Sequence, residues 1–173
     1  MELHRLPLTE LSDDQLAAFV NRALLIRHAP FVYAVLNELA SRKVENLKGL
    51  DSLSFYRSLA ESCQSMGKRD EALKWVTEAR KTLEDSEDFE EKLNWAMREF
   101  QLRVEDKTDS ELPTIVDEVW NYYGRKLPTI RDAISPVLTE LNIPIPEERS
   151  SIVLPGHVAE TAGAGEKKLY VPD

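Results

Sequence analysis

Up to about Leu141 the apolar residues recur almost throughout at the three- and four-residue spacing of an α-helix. The segment "LSDDQLAAFVNRALLIRHA" opens with Ser12 and, three residues on, Gln15, a capping-box pair that ties up free backbone N–H groups. Leu16, Phe19, Val20, Ala23 and Leu24 then fall on one face. Ala29-Pro30 is expected to break this helix, because the residue before a proline is pushed out of the helical region. Val32, Val35, Leu36 and Leu39 carry a second stripe, so the two segments read as a helical hairpin. A second hairpin follows. Between Asp51 and Met66 the expected apolar face is Leu53, Tyr56, Ala60 and Cys63, flanked by Leu59 and Met66. Gly67 permits the left-handed backbone that closes a helix. The partner helix, from about Arg69 to Leu83, turns Ala72, Trp75, Val76, Ala79 and Leu83 inward. The small residues Ala60, Ala72 and Ala79 let two helices joined by so short a turn cross closely.

Further along, Phe89, Leu93, Ala96, Met97, Phe100 and Val104 predict a long amphipathic helix, and the polar run "EDKTDS" ends it. "LPTIVDEVWNYYG" and "LPTIRDAISPVLTEL" start alike, at an offset of fifteen residues. Pro113 and Pro128 suit a first helical turn, where a missing N–H costs nothing. Pro136 lies inside the last pattern and predicts a kink, or a restart capped by Ser135. The expectation is about seven helices, six of them paired as three hairpins.

Within the second hairpin, "LAESCQSMGKRDEALKWVTEA" resembles the tetratricopeptide repeat (TPR). Leu59, Ala60, Gly67, Glu71, Ala72, Leu73 and Ala79 occupy the motif positions, and Tyr56 supplies the first aromatic. Cys63 stands where a second aromatic is usual, and Glu84 near the place of the usual proline. The match covers about one repeat, from Leu53 to Glu84, with degenerate neighbours. It implies an all-α fold of antiparallel hairpins stacked as a short right-handed solenoid, whose first helices line a groove for an extended peptide or a partner helix. Carried onto this chain, the groove face is Ser54, Arg57, Ser58, Glu61, Gln64 and Ser65. Arg57 suits a ligand carboxylate. The asparagine and lysine of the family's best-known clamp for acidic C-terminal peptides have Ser58 and Glu61 as their counterparts here. A solvated polar face is the competing reading of the same six residues.

Composition narrows the partners. The 173 residues suffice for one domain with a sizeable core. The formal net charge is −9, and "EDSEDFEE" (84–91) packs six carboxylates into eight positions, which repels phosphate backbones and favours basic partners. The single cysteine, Cys63, excludes an intramolecular disulfide framework and fits a reducing, cytoplasmic compartment. "MELHRLPLTELSDD" lacks the basic start and apolar run of a secretory signal, and no apolar stretch approaches the roughly 20 residues of a membrane span.

Chemistry-bearing residues are sparse. His4, His28 and His157 are far apart and match no metal spacing, so they read as solvated or junction histidines. Cys63 falls on an apolar stripe and reads as a small buried hydrophobe. "GAGEKK" (163–168) fails the phosphate-loop pattern. Trp75, Trp95, Trp120, Tyr122 and Tyr123 suit a pocket lining, but at helical spacing they read first as core. No acid, base and nucleophile converge, so no catalytic activity, cofactor or metal is expected.

From Pro144 the pattern changes to prolines, glycines and charges, which divides the chain into a helical region, 1–143, and a flexible tail, 144–173. Two apolar triplets, each followed by proline, stand seventeen residues apart in the tail: Ile152, Val153, Leu154 and Pro155, then Leu169, Tyr170, Val171 and Pro172. They look like docking peptides for a partner or for the chain's own groove. The expected function is therefore that of a protein interaction adaptor, binding a peptide or helix of another protein and neither nucleic acid nor membrane. The alternatives are a structural subunit of a larger assembly, favoured if Trp120 and Tyr123 are exposed, or a non-catalytic regulatory part of an enzyme system.

Overall fold

At the start of the first helix the Ser12 N–H donates to Gln15 Oε1 at 2.9 Å and the Gln15 N–H to Ser12 Oγ at 3.3 Å. The capping box forms, and it satisfies two donors that a helix start leaves open. The computed structural model describes residues 7–26, 28–42 and 51–148. Among them the chain is helical, without strands. A 3-10 turn at Leu8–Glu10 precedes α1 (Asp13–Ile26) and α2 (Ala29–Ser41). Pro30, expected to break the first helix, instead sits in the opening turn of the second, where its missing N–H interrupts no bond. His28 starts that helix by accepting the Phe31 N–H on Nδ1 at 3.3 Å.

Asp51 caps α3 (Ser52–Ser65) by accepting the Ser54 N–H at 2.9 Å. The helix closes as expected: Gly67 takes φ +70°, the Gly67 N–H reaches the Gln64 carbonyl at 3.0 Å, and the Lys68 N–H reaches that of Cys63 at 2.9 Å. The chain then turns into α4 (Arg69–Thr82), where Ala72, Trp75, Val76 and Ala79, with Leu83 just beyond, are all buried. Asp88 caps α5 (Phe89–Arg103). Next, α6 (Leu112–Asp117) runs directly into a π-helical stretch (Glu118–Tyr123) and a final turn, α7 (Gly124–Lys126). The last helix is α8 (Thr129–Leu141).

Packing follows chain order: α1 lies on α2, α2 on α3, α3 on α4 and α4 on α5, while α5 meets both α6 and the π stretch, and α8 closes on the π stretch. Two apolar clusters result. Residues from α1 to α4, joined by Trp95 and Leu102, form the first, and Leu93, Ala96 and Phe100 with α6, the π stretch and α8 form the second.

Other expectations change as well. On α3 the buried residues are Phe55, Leu59, Ala60, Ser62 and Cys63, with Leu53 and Tyr56 only half-buried, so the helix is rolled toward Leu59. Helix α5 is buried on two faces rather than one, since it lies between the clusters; Trp95 and Leu102 were not on the expected stripe. Finally, α8 passes Pro136 without a restart, and Pro128 is its N-cap rather than a first-turn residue. Pro136 is exposed, so its ring meets solvent instead of a packed neighbour.

Asn142, in the left-handed conformation at φ 56°, ends α8, and the Ile143 N–H bonds the Leu138 carbonyl at 2.8 Å. The chain then lies against the π stretch. Asn121 Nδ2 donates to the Glu147 carbonyl at 3.1 Å, and Arg131 Nη1 to Glu148 Oε1 at 2.8 Å. The two tail triplets lie outside the described residues.

Candidate functional site

Helices α3 and α5 are separated in sequence by α4, yet their side chains meet. Arg57 Nη2 lies 2.7 Å from Glu91 Oε1, and Arg98 Nη2 lies 3.0 Å from Glu61 Oε1. Residue 57 faces 91 and residue 61 faces 98, so the two helices run in the same direction. Trp95 sits between the pairs, only 1% exposed. The Arg57 guanidinium lies 5.8 Å and the Arg98 guanidinium 5.7 Å from its ring centroid, and its Nε1–H donates to Glu91 Oε1 at 3.0 Å.

Over this floor opens a cleft of about 610 Å³. One wall is Arg57, Glu61 and Gln64 of α3; the other is Asn94, Met97, Arg98 and Gln101 of α5. Three of the six residues expected on a groove face therefore line it. The hydroxyls of the other three are engaged locally: Ser54 Oγ donates to Asp51 Oδ2 at 2.7 Å, Ser58 Oγ to the Ser54 carbonyl at 2.9 Å, and Ser65 Oγ to the Glu61 carbonyl at 2.9 Å. The α5 wall was missed. Its signal was present as Asn94, Arg98 and Gln101 at helical spacing, on the polar face beside the expected apolar stripe, whose own Met97 forms the edge of the wall.

The polar groups that line this cleft are amides and paired charges. Gln64, Asn94 and Gln101 each present a donor and an acceptor, which suits the backbone of an extended chain. The two ion pairs are partly solvated, with side-chain exposures of 43% and 22% for Arg57 and Glu91 and 26% and 56% for Arg98 and Glu61. Pairs of this kind contribute about 0–1 kcal/mol, so a ligand charge can replace either partner at small cost. Among the described residues no histidine borders the cleft. The Cys63 thiol is buried and pushed up to about 11 by that burial, so it stays protonated near neutrality. No group of histidine, cysteine and carboxylate side chains among the described residues is arranged to hold a metal ion.

A second charge system fixes the frame behind the cleft. Arg80 of α4 pairs with Glu99 of α5 and, at 2.6 and 2.7 Å, with both oxygens of Glu118 in the π stretch. Glu99 also accepts from Arg103 at 2.7 Å. Asp109 then takes Arg103 at 2.7 Å and Arg69 at 2.5 Å. Burial pulls the Arg80 pKa down, but Glu118 and Glu99 together hold it above the ordinary arginine value. The chain of pairs sets α5 against α4, and hence the angle at which Trp95 faces α3.

His28 is a helix cap, while His4, His157 and "GAGEKK" lie outside the described residues. Tyr123 is buried at 3% exposure, and Trp120 is half-buried beneath Arg131, whose guanidinium lies 5.4 Å from its ring. No described helix is long and apolar enough to cross a membrane. Comparison of the chain with protein-family models, with curated proteins and with solved structures finds no match.

Proposed function

We propose that the chain is a tetratricopeptide-like interaction module that holds a peptide or helix of another protein between α3 and α5. The observation that carries this reading is the cleft itself, formed by two parallel helices that are not neighbours in sequence and floored by Trp95. Alternation extends beyond it. Tyr33 of α2 donates to Glu71 of α4, and Arg80 of α4 reaches Glu118 beyond α6. Contacts of α3 with α5, of α2 with α4 and of α4 with the π stretch support a reading as stacked hairpins in a right-handed solenoid. Polar amides beside an aromatic floor favour a bound chain over a substrate to be transformed, and the module is non-catalytic in this reading. Burial of Tyr123 and partial burial of Trp120 remove the exposed aromatic patch that would favour a structural subunit. A reducing compartment such as the cytoplasm suits its single buried thiol.

The test is quantitative affinity capture with the full chain and its Arg57→Ala variant. Captured partners should fall roughly tenfold, an ordinary consequence of losing an interfacial arginine, with far-ultraviolet circular dichroism unchanged. Equal capture of the same proteins by both forms refutes the reading.

A further inference from the structure

We infer that the cleft between α3 and α5 is occupied in the resting protein by the chain's own segment 167–172, Lys167-Lys168-Leu169-Tyr170-Val171-Pro172, which a partner must displace. The inference rests on the proposed peptide-binding role of the cleft and names its resting occupant.

Charge complementarity is the first argument. Since α3 and α5 run in parallel, their N-termini lie at one end of the cleft, and that end is acidic: Asp51 leads into α3, and Glu87, Asp88 and Glu90 surround the start of α5, all exposed. The cleft's own arginines are already paired with Glu91 and Glu61. A ligand that brings two lysines followed by an apolar and aromatic triplet matches this gradient. Its cations meet the acidic end and its Leu-Tyr-Val lies against Met97 and the stems of Arg57 and Arg98 over Trp95. Residues 167–172 have that order.

Reach is the second. Glu147 is held by Asn121 of the π stretch, which packs directly on α5, the far wall of the cleft, and Glu148 by Arg131 of α8. The 18 residues between Glu148 and Lys167 span up to about 60 Å when extended, whereas packed helices stand about 10 Å apart. The other triplet, Ile152 to Leu154, follows Glu148 by only three intervening residues and carries no adjacent lysine. Its tether spans roughly 13 Å at most, which leaves it far less freedom of placement, and it brings no cation to the acidic end, so the distal triplet is the fitting occupant.

The experiment uses the full chain with Cys63→Ala and Glu166→Cys, spin-labelled at the new thiol. Paramagnetic broadening should appear on the Trp95 indole N–H and the Asn94 and Gln101 side-chain amides, and should persist unchanged on tenfold dilution. Absence of broadening at these groups overturns the inference, as does broadening that fades on dilution, which would seat a second copy in the cleft. A second arm titrates a fluorescent peptide of residues 163–173 into the unlabelled chain and into its Lys167→Glu/Lys168→Glu variant. With its own tail displaced, the variant should bind at least tenfold more tightly. Equal binding to both proteins overturns self-docking while leaving the cleft a peptide site. Failure of the underlying reading is seen separately, as unchanged partner capture by Arg57→Ala.

Discussion

Arg80 joins three elements through one guanidinium, and its value lies in what its loss exposes. Glu99 is 7% exposed, and without Arg80 it keeps only Arg103. Arg80→Met should therefore destabilise the fold by about 3 kcal/mol in chemical denaturation, because a buried carboxylate loses a partner. Arg80→Lys should recover only part, since an ammonium cannot serve Glu99 and both oxygens of Glu118 in a fixed fork. Asp109 shows the pH side of the same network. Burial pushes its pKa up, but Arg69, the Glu111 N–H and Arg103 outweigh this and hold it below the usual carboxylate range. A depressed carboxylate lends stability that is fully present above its unfolded pKa of about 3.9 and is lost as pH falls through the lower folded value. Acid titration of stability should thus be shallower in Asp109→Asn. Cys63 acts on the alkaline side. Raised by burial to about 11, its thiol lends stability below roughly pH 8.5 that disappears as pH climbs to the folded value. Cys63→Ala should flatten the alkaline limb from its onset, leaving the later fall from Tyr33, which burial and then Glu71 raise.

At the scale of elements, turn chemistry and capping were legible because they are local. Ser12 with Gln15, Asp51, and Gly67 need only their own neighbours to act. The second hairpin was legible for the same reason, with Ala72 and Ala79 both fully buried at the crossing. The π stretch was not. A shift from i+4 to i+5 bonding has no residue signature, and here it is secured by partners from elsewhere: Arg80 on Glu118, and Arg131 Nε donating to the Trp120 carbonyl at 2.9 Å. Gly124 makes room for Arg131, since an added Cβ would lie 2.6 Å from Arg131 Cγ and 3.2 Å from the Val119 carbonyl. Gly124→Ala should cost about 1–3 kcal/mol by thermal unfolding, as overpacked sites do. The clash is near the root of the arginine, so the whole side chain must leave Trp120 and Glu148. If the substitution is neutral, Arg131 is not the clip that holds α8 to the π stretch.

For the whole molecule, the decisive relation is between helices that are not consecutive. A groove formed by α3 and α5 requires that α4 place them side by side, and α4 does so through Arg80 and the shared core around Trp95 and Leu102. Stability and recognition should separate accordingly. Asn94 is exposed on the cleft wall, so Asn94→Ala should change stability by less than about 0.5 kcal/mol and still weaken partner capture. A loss of stability without a loss of capture would place Asn94 in the frame rather than in the cleft. The sequence by itself determined the helices, their caps, the close crossing in the second hairpin and half of the cleft, because spacing within one helix decides which side chains share a face. Only the tertiary structure decided the roll of α3, the two-sided burial of α5, the passage of α8 through Pro136 and the α5 wall opposite Arg57. Each depends on contacts between residues tens of positions apart, and for those the polar residues Asn94, Arg98 and Gln101 look the same whether they face solvent or a neighbouring helix.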